Sequence, residues 1–600
     1  MDPDGIQVNL ESQSVSSLGT HEDDDNVIEL EELKVDGTSK MDSKGKRKRK
    51  LTSQVWMFFD KLIEKSVDGK QRKDIADIGQ LLLNKDMSMR CTKFDPDKFR
   101  ELVVAAIVMH DLPLSFVEYV GVRAFCSYLN PNATLVSRNT LKSDLLKMYK
   151  KEKDKLKCVL KEAPGRLCLT SDLWTSITTD GYIAVTVHFI DNDWVLQKKI
   201  LNFSFMPPPH SGVALSEKVG LILESDWGIE KKIFCVTLDN ASANDVFVSL
   251  LKKNLNLKKP FVCKGEFFHL RCRAHVLNLV VQEGLKEIDD SIHKVRESIK
   301  YVRGSQVRKQ KFLECVKFLS LNAKKGLRQD VPTRWNSTYL MLESALFYRR
   351  AFNHLEISDS NYKNCPSQFE WDRVKKISSF LSVFYDITCV FSGIKYPTAN
   401  LYFPSVFTAY MMLKEHMDSE DVYLKNMANL MMAKFEKYWS EFSMILAIAV
   451  ILDPRYKLQF VNWAYEKMYG VDSPQFDNVS SKLHEIYDEY KVSPSPTPTS
   501  QSKDSDSNQE ESSFKKGLFK QFDSFRSKDQ TRTQKSQLDL YLEEASIDKE
   551  ENLDILSYWK ANQYRYPELA FMARDILSIP VSTVASESTF STGGRVLDQY

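Results

Sequence analysis

Between Leu167 and Pro207 the spacing of apolar residues changes from a helical period to a strand-like one. Residues 167–170 form a short apolar run that closes at Asp172. Residues 182–190 are rich in β-branched and aromatic side chains, and 194–205 supply a third strand-like run. Asp191-Asn192-Asp193 between them is turn chemistry for a hairpin, and Pro207-Pro208-Pro209 ends the sheet-like stretch. The pattern then alternates. Residues 212–223 read as a helix, and 233–238 are a nearly continuous apolar run, as a buried central strand should be. A helix over 241–255, a short strand over 267–272 and a helix over 274–285 follow. A meander followed by alternating helix and strand predicts a mixed α/β sheet.

The rest of the chain is organised around that sheet. Six hundred residues exceed what one core holds, so several domains are expected. Residues 1–50 are polar and poor in aromatics, which predicts a disordered tail. The tail is acidic over 22–32 and then basic, with Lys44 and the run Lys46, Arg47, Lys48, Arg49, Lys50. Such a block reads as a nuclear-import signal or a phosphate-binding arm; the plainer reading is a solvated tail. Val55, Trp56, Phe58, Phe59, Leu62 and Ile63 make one helical face, and residues 91–160 continue with helical periodicity. Residues 291–490 are mostly helical without a fixed repeat. A Ser/Thr/Pro-rich linker covers 491–535, and short helices resume after Leu538. The net charge of +2 does not argue for nucleic acid by itself. The N-terminus lacks the apolar core of a signal peptide, and no apolar stretch approaches the roughly 18 residues of a membrane span. The ten cysteines are scattered, as in a reducing compartment.

Three groups of residues carry possible chemistry. Glu587 is the one acidic residue in a run of small and β-branched residues after Val584, and a lone carboxylate there wants a cation or metal. Asp172 and Asp239 each close a strand-like run and are candidate partners. As a plainer alternative they cap helices, for which Asp239-Asn240-Ala241-Ser242 is well suited. His269, Cys272 and His275, with Cys263 upstream, match no zinc spacing; core packing or a supporting role near the carboxylates fits them better. Arg334 and Trp335 could stack on a base and hold phosphate, or be a buried Trp with a snorkelling Arg.

Together these segments resemble the hAT superfamily of DNA transposases, in particular plant members of the RICESLEEPER and DAYSLEEPER kind. The motifs that carry the resemblance are Leu-Thr-Ser-Asp-Leu-Trp-Thr-Ser (169–176), Thr-Leu-Asp-Asn-Ala-Ser-Ala-Asn (237–244), Arg-Cys-Arg-Ala-His-Val-Leu-Asn-Leu (271–279), Pro-Thr-Arg-Trp-Asn-Ser-Thr (332–338), Ile-Leu-Asp-Pro-Arg-Tyr-Lys (451–457) and the stretch 573–591. The resemblance implies a ribonuclease H-like catalytic domain (161–290), interrupted by a large all-α insertion (291–490), and a C-terminal dimerisation region (536–600). In such a sheet the first and fourth strands are neighbours, so their aspartates would face one another. A helix from the C-terminus would bring the glutamate. The implied catalytic and metal-holding triad is Asp172, Asp239 and Glu587, with Mg²⁺ or Mn²⁺ as cofactor. Cys272 and His275 fall on the family's Cys-x-x-His element. Trp335 falls on the tryptophan that supports a flipped base, with Arg334 beside it. The implied partners are DNA and a second copy of the chain in the nucleus, with no membrane and no small-molecule substrate.

Two departures qualify this. The opening of a BED zinc finger is recognisable over 51–60, yet the Cys-x-x-Cys and His pair do not follow, so zinc is not expected (51–90 is a finger remnant). The dimerisation region of the family continues past the position of Tyr600, so a shortened one is expected. Three readings stay open: a dimeric DNA-binding protein that has lost cut-and-paste activity, an active metal-dependent transposase, and an interaction scaffold without DNA binding.

Overall fold

The computed structural model describes residues 94–286, 289–322, 325–331, 334–439, 444–491, 535–549, 551 and 553–597, and the backbone of strand residues 27–28, 82–83 and 89–90. The basic block, the finger remnant over 51–60 and most of the linker lie outside the described residues.

Three helices lead into the sheet: α1 (Pro96–Met109), α2 (Val120–Leu129) and α3 (Arg138–Glu162). Asp95 caps α1 by accepting from the amides of Asp97 and Lys98, with Pro96 at the first helical position. Val104, Ile107, Val117, Leu135 and Leu141 close a small core between these helices.

The sheet has five strands: β1 (Leu167–Thr175), β2 (Gly181–Ile190), β3 (Leu196–Phe205), β4 (Ile233–Leu238) and β5 (His269–Arg271). Their order is β3-β2-β1-β4-β5. The hairpins make β1, β2 and β3 antiparallel, and β4 and β5 run parallel to β1. This is the ribonuclease H-like arrangement, in a mixed α/β fold.

Within the three-stranded meander two boundaries differ from expectation. β1 does not close at Asp172 but continues to Thr175, because its pairing with β2 runs on to Thr175 opposite Gly181. The third strand starts at Leu196 rather than at 194. Trp194 sits in the left-handed region (φ 62°), in a turn where an Asp191 carboxylate oxygen accepts the amides of Asp193 and Val195.

Alternation gives the sheet two differently covered faces. Leu169, Val185, Val187 and Val236 pack under α4 (Gly212–Leu221) and α5 (Ala243–Asn256), with Leu215, Phe247 and Leu251 among the contacts. Cys168, Cys235 and Leu270 face the larger helical core on the other side.

That core begins with α6 (Arg273–Gly284). The helical insertion follows as α7 (Asp290–Arg303), α8 (Gln306–Phe318), α9 (Trp335–Phe347), α10 (Arg349–Ser358) and α11 (Gln368–Phe391). It continues as α12 (Ala399–Met417), α13 (Val422–Trp439), α14 (Met444–Ile451), α15 (Lys457–Tyr469) and α16 (Pro474–Tyr490). From Ile445 on, α14 is fully buried, so this apolar run is a core helix. Among the described residues no helix is long and apolar enough to cross a membrane.

The last segment returns to the sheet. It comprises α17 (Gln537–Glu543), α18 (Ile555–Asn562), α19 (Pro567–Leu577) and α20 (Val584–Leu597). Asp575 on α19 anchors it. Its carboxylate accepts the Arg166 amide (2.7 Å) and the Tyr490 hydroxyl (2.8 Å), and the Arg166 guanidinium lies at 3.4 Å. One buried aspartate thus ties the start of β1, the end of the insertion and α19 together.

Candidate active site

The register of the sheet positions two carboxylates. The β1–β4 ladder ends at Thr170 opposite Thr237. Continuing it by two residues sets Asp172 beside Asp239, on the face where Thr170 and Thr237 point. Asp172 remains tied into the β1–β2 ladder opposite Ala184, which holds its backbone in place. Asp239 sits just past β4, where its Oδ1 accepts the Ala241 amide at 3.2 Å and the Asn244 side-chain amide. The helix itself starts later, at Ala243, with Ser242 as its cap residue. Asp239 therefore shapes the turn before α5 without being its N-cap.

The third carboxylate comes from above. α20 packs across β1, β2 and β3. Its seat is polar at one end and aromatic at the other. Ser586 Oγ lies 2.9 Å from Thr170 Oγ1, and Thr170 in turn meets the Thr186 hydroxyl on β2. Thr237 Oγ1 donates to the carbonyl of Pro580 (2.8 Å), in the connector before the helix. Further along, Phe590 stacks on Trp174 (6.0 Å, 15°) and touches Phe203, which itself stacks on Tyr182 (5.4 Å, 12°). Gly593 permits the close approach: a Cβ there would stand 2.5 Å from Phe203 Cζ.

Glu587 is thereby buried, 5 % exposed. Its Oε1 accepts the Thr583 hydroxyl at 2.8 Å. That hydroxyl also lies 3.3 Å from Cys272 Sγ, and the Thr583 amide donates to the same sulfur at 3.4 Å. A hydroxyl has one proton, and the carboxylate is the stronger acceptor. Burial, and then the Glu587 charge, push the Cys272 thiol up to about 11, so it keeps its proton and can donate to the Thr583 oxygen. Cys272 is fixed in its turn, its amide donating to the Leu238 carbonyl at 2.6 Å.

The other two acidic groups act on Asp172. Burial raises the Asp172 carboxyl well above its usual range, and the charges of Glu587 and Asp239 raise it further. His275, one turn into α6, is held below its ordinary value by burial, with the Asp239 charge pulling the other way. Among the described residues no three His, Cys, Asp or Glu side chains are already closed into an ion-holding cage. Glu587 and Asp239 nonetheless lie close enough for their charges to act on Asp172. An all-oxygen acidic set of this kind is what a hard divalent cation takes, so the residues present fit Mg²⁺ or Mn²⁺.

The other residues singled out in the sequence divide. Cys272 and His275 stand at this corner. Cys263 does not join them: its amide donates to Glu489 at the end of the insertion. His269 Nε2 is buried without a hydrogen-bond partner. Trp335, the first residue of α9, is 1 % exposed, with its indole N–H unpartnered. In this conformation it offers no face for stacking. Arg334 before it is half-buried. Asp330 is held in a buried ion pair with Arg296 at 2.6 Å, and Thr338 on α9 donates to the same carboxylate.

Sequence reasoning missed the hydroxyl ladder of Thr170, Thr186, Thr237, Thr583 and Ser586. Its signal was the run of small and β-branched residues around Glu587, rich in serine and threonine. Such residues suit a helix that lies close on a sheet and satisfies hydroxyls pairwise.

Comparison with known proteins agrees with this architecture. Residues 170–267 match the ZBED1 RNase-like domain and 270–380 the ZBED1 RNase-like helical domain. Residues 400–490, which carry α13 to α16, match the hAT-like transposase, RNase-H fold, and 537–600 match the hAT family C-terminal dimerisation region. The chain is similar to zinc finger BED domain-containing protein RICESLEEPER 2 of Oryza sativa subsp. japonica, 37% identical over 84% of this chain and 72% of that protein. It is also similar to zinc finger BED domain-containing protein DAYSLEEPER of Arabidopsis thaliana, 34% identical over 84% of this chain and 71% of that one. With the strand order, the helical insertion and the returning C-terminal helices, these similarities show that the chain belongs to the hAT transposase family, in the group of the RICESLEEPER and DAYSLEEPER proteins.

Proposed function

We propose that this protein is a nuclear DNA-binding protein of transposase descent, that it pairs with a second copy through residues 537–600, and that its acidic corner takes Mg²⁺ or Mn²⁺. The observation that carries the reading is the arrival of Glu587, buried on α20, at the corner where Asp172 and Asp239 stand side by side. Between Leu51 and Arg90 there are no finger cysteines, so recognition by a zinc finger is not part of the reading. Binding would rest on phosphate contacts, be sensitive to salt and discriminate weakly between sequences. Lys46, Arg47, Lys48, Arg49 and Lys50 would serve import.

Asp172, Asp239 and Glu587 would hold the cation. When bound, a divalent ion at such a site polarises a phosphodiester and favours ionisation of an attacking water. The chain's own residues prepare this. Thr583 directs one Glu587 oxygen, Cys272 supports Thr583, and the Ser586–Thr170 contact sets the helix on the sheet. Two outcomes follow from the same corner: strand cleavage on DNA, or binding that no longer leads to cutting. The burial of Trp335 favours the second for the protein by itself.

The test is calorimetric titration of Mn²⁺ into the full chain and into Asp239→Ala and Glu587→Ala, with gel shifts of duplex DNA at about 100 mM salt. The expected result is binding lost in both variants while the DNA shift persists. Wild-type protein that neither binds Mn²⁺ nor shifts DNA would leave the scaffold reading. Nicking of a duplex by the wild type but not by Asp172→Asn would establish the active one.

A further inference from the structure

Arg273 opens α6 and is almost fully enclosed, 6 % exposed. Its amide donates to the Val581 carbonyl at 2.8 Å, which fixes its backbone against the connector before α20. Its guanidinium lies over the Tyr402 ring of α12, 5.3 Å from the centroid, and Nε is buried without a hydrogen-bond partner. Other enclosed guanidiniums meet acceptors. Arg296 meets the Asp330 carboxylate, and Arg574 meets the carbonyls of Ile190 and Asp191. A guanidinium does not shed its proton, so an enclosed one without a counter-charge is costly.

Arg273 also forms one wall of a partly open cavity. The remaining walls are mainly apolar, with Leu277 on α6, Phe391 on α11, Tyr402 and Val406 on α12, and Phe435 on α13. Among the described residues that line it there is no carboxylate and no second basic group. The cavity leaves about 30 Å³ for the centres of water-sized atoms. One water needs about 10–15 Å³ on that measure, and a cavity that takes benzene has about 150 Å³. The space therefore suits a group about as large as two or three waters, the size of formate or acetate, and excludes an aromatic acid. The chemistry of the wall narrows the choice. A guanidinium holds a carboxylate through two parallel N–H···O bonds, a geometry that a spherical halide does not use. A phosphate dianion would bring two charges to a single cation.

We propose that this cavity binds a small monocarboxylate, held by the Arg273 guanidinium with its carbon end against the apolar wall. Occupancy would brace α6 against α11 and α12, behind the corner where Cys272 and His275 stand. The site is independent of cation binding at that corner and of any contact with DNA.

The test is saturation-transfer NMR on the full chain with sodium acetate, at an ionic strength held constant with sodium chloride. The acetate methyl signal should respond to irradiation of the protein and saturate, with half-saturation at about 1–10 mM, as a ligand of so few atoms allows. Arg273→Met, which keeps the stem and loses the charge, should abolish the saturable response. Arg273→Lys, which keeps the charge without the planar fork, should weaken binding at least about tenfold. Absence of a saturable response in the wild type, or an equal one in Arg273→Met, would overturn the proposal. Should the methionine variant not fold, the lysine variant decides, and acetate binding as tight as in the wild type would refute the site. Benzoate should show no response that depends on Arg273; if it binds better than acetate, the assignment to a small acid fails.

Discussion

Ser586 Oγ lies 2.9 Å from Thr170 Oγ1, although 416 positions separate the two residues. The contact joins the C-terminal helix to the middle of β1, two residues before Asp172. It also places the residue after Ser586, Glu587, over the sheet. The acidic corner is therefore a tertiary product, held by hydroxyl pairs as much as by apolar packing.

Replacing Ser586 with Val should separate those levels. The variant removes one partner from a buried pair and leaves Thr170 with Thr186 alone, which should destabilise the protein by about 1–3 kcal/mol. Mn²⁺ affinity should fall along with stability. Denaturant midpoints and calorimetry measure both, and wild-type values for the two together would show that the contact does not seat the helix.

Thr583 should matter for the ion more than for the fold. Thr583→Val keeps the volume but removes the proton donated to Glu587 and the acceptor for the Cys272 thiol. Loss of a supporting hydrogen bond of this kind weakens metal binding about 10–100-fold. Thr583→Ser, which keeps the hydroxyl, should recover most of it. If valine and serine variants bind Mn²⁺ alike, Thr583 has no directing role.

The sheet was readable because strands announce themselves locally. The apolar run of β4 and the Asp191-Asn192-Asp193 turn are short-range signals. The end of β1 was not readable, since Asp172 looks like a strand terminus until its pairing with Ala184 is known. The triad residues could be named because the family resemblance carries their motifs; composition gave only three separate carboxylates. The burial of Trp335 stood in the sequence only as one of two alternatives, and the unpartnered nitrogens of His188 and Lys198 gave no signal at all, for a further reason. In sequence each is a polar or amphipathic residue at an ordinary strand or helix position, and only the packed neighbours make it unusual.

Gly593→Val should lift the C-terminal helix. The added side chain would enter the space of the Phe203 ring, and such overpacking costs about 1–3 kcal/mol. Trp174, stacked on Phe590, reports on the same place. Its fluorescence should shift in the variant as the ring loses its cover. An unchanged spectrum with unchanged stability would mean that the helix accommodates the extra atoms without moving.

His188 should give the protein an acid sensitivity of known sign. Burial, then the Lys198 charge, hold its folded value at about 3, below the ordinary 6.5. From pH 6.5 downward the unfolded chain binds a proton that the folded chain refuses, so stability falls with falling pH until about pH 3. His188→Leu should remove that part of the slope, measured as the difference in denaturant midpoint between variant and wild type across that pH range. Parallel pH profiles would place the acid sensitivity elsewhere.

The late position of α20 has a consequence in time. A ribosome completes β1 and β4 early, then adds more than three hundred residues before Glu587 emerges. At about 5–20 residues per second, tens of seconds pass in which the face around Thr170 and Trp174 lacks the cover of α20. During that interval the nascent chain offers other molecules an uncovered strip of aromatic and hydroxyl side chains. Transcripts or proteolytic products that stop before Val584 would stay in that condition permanently, so a chaperone should hold them longer than it holds the full chain.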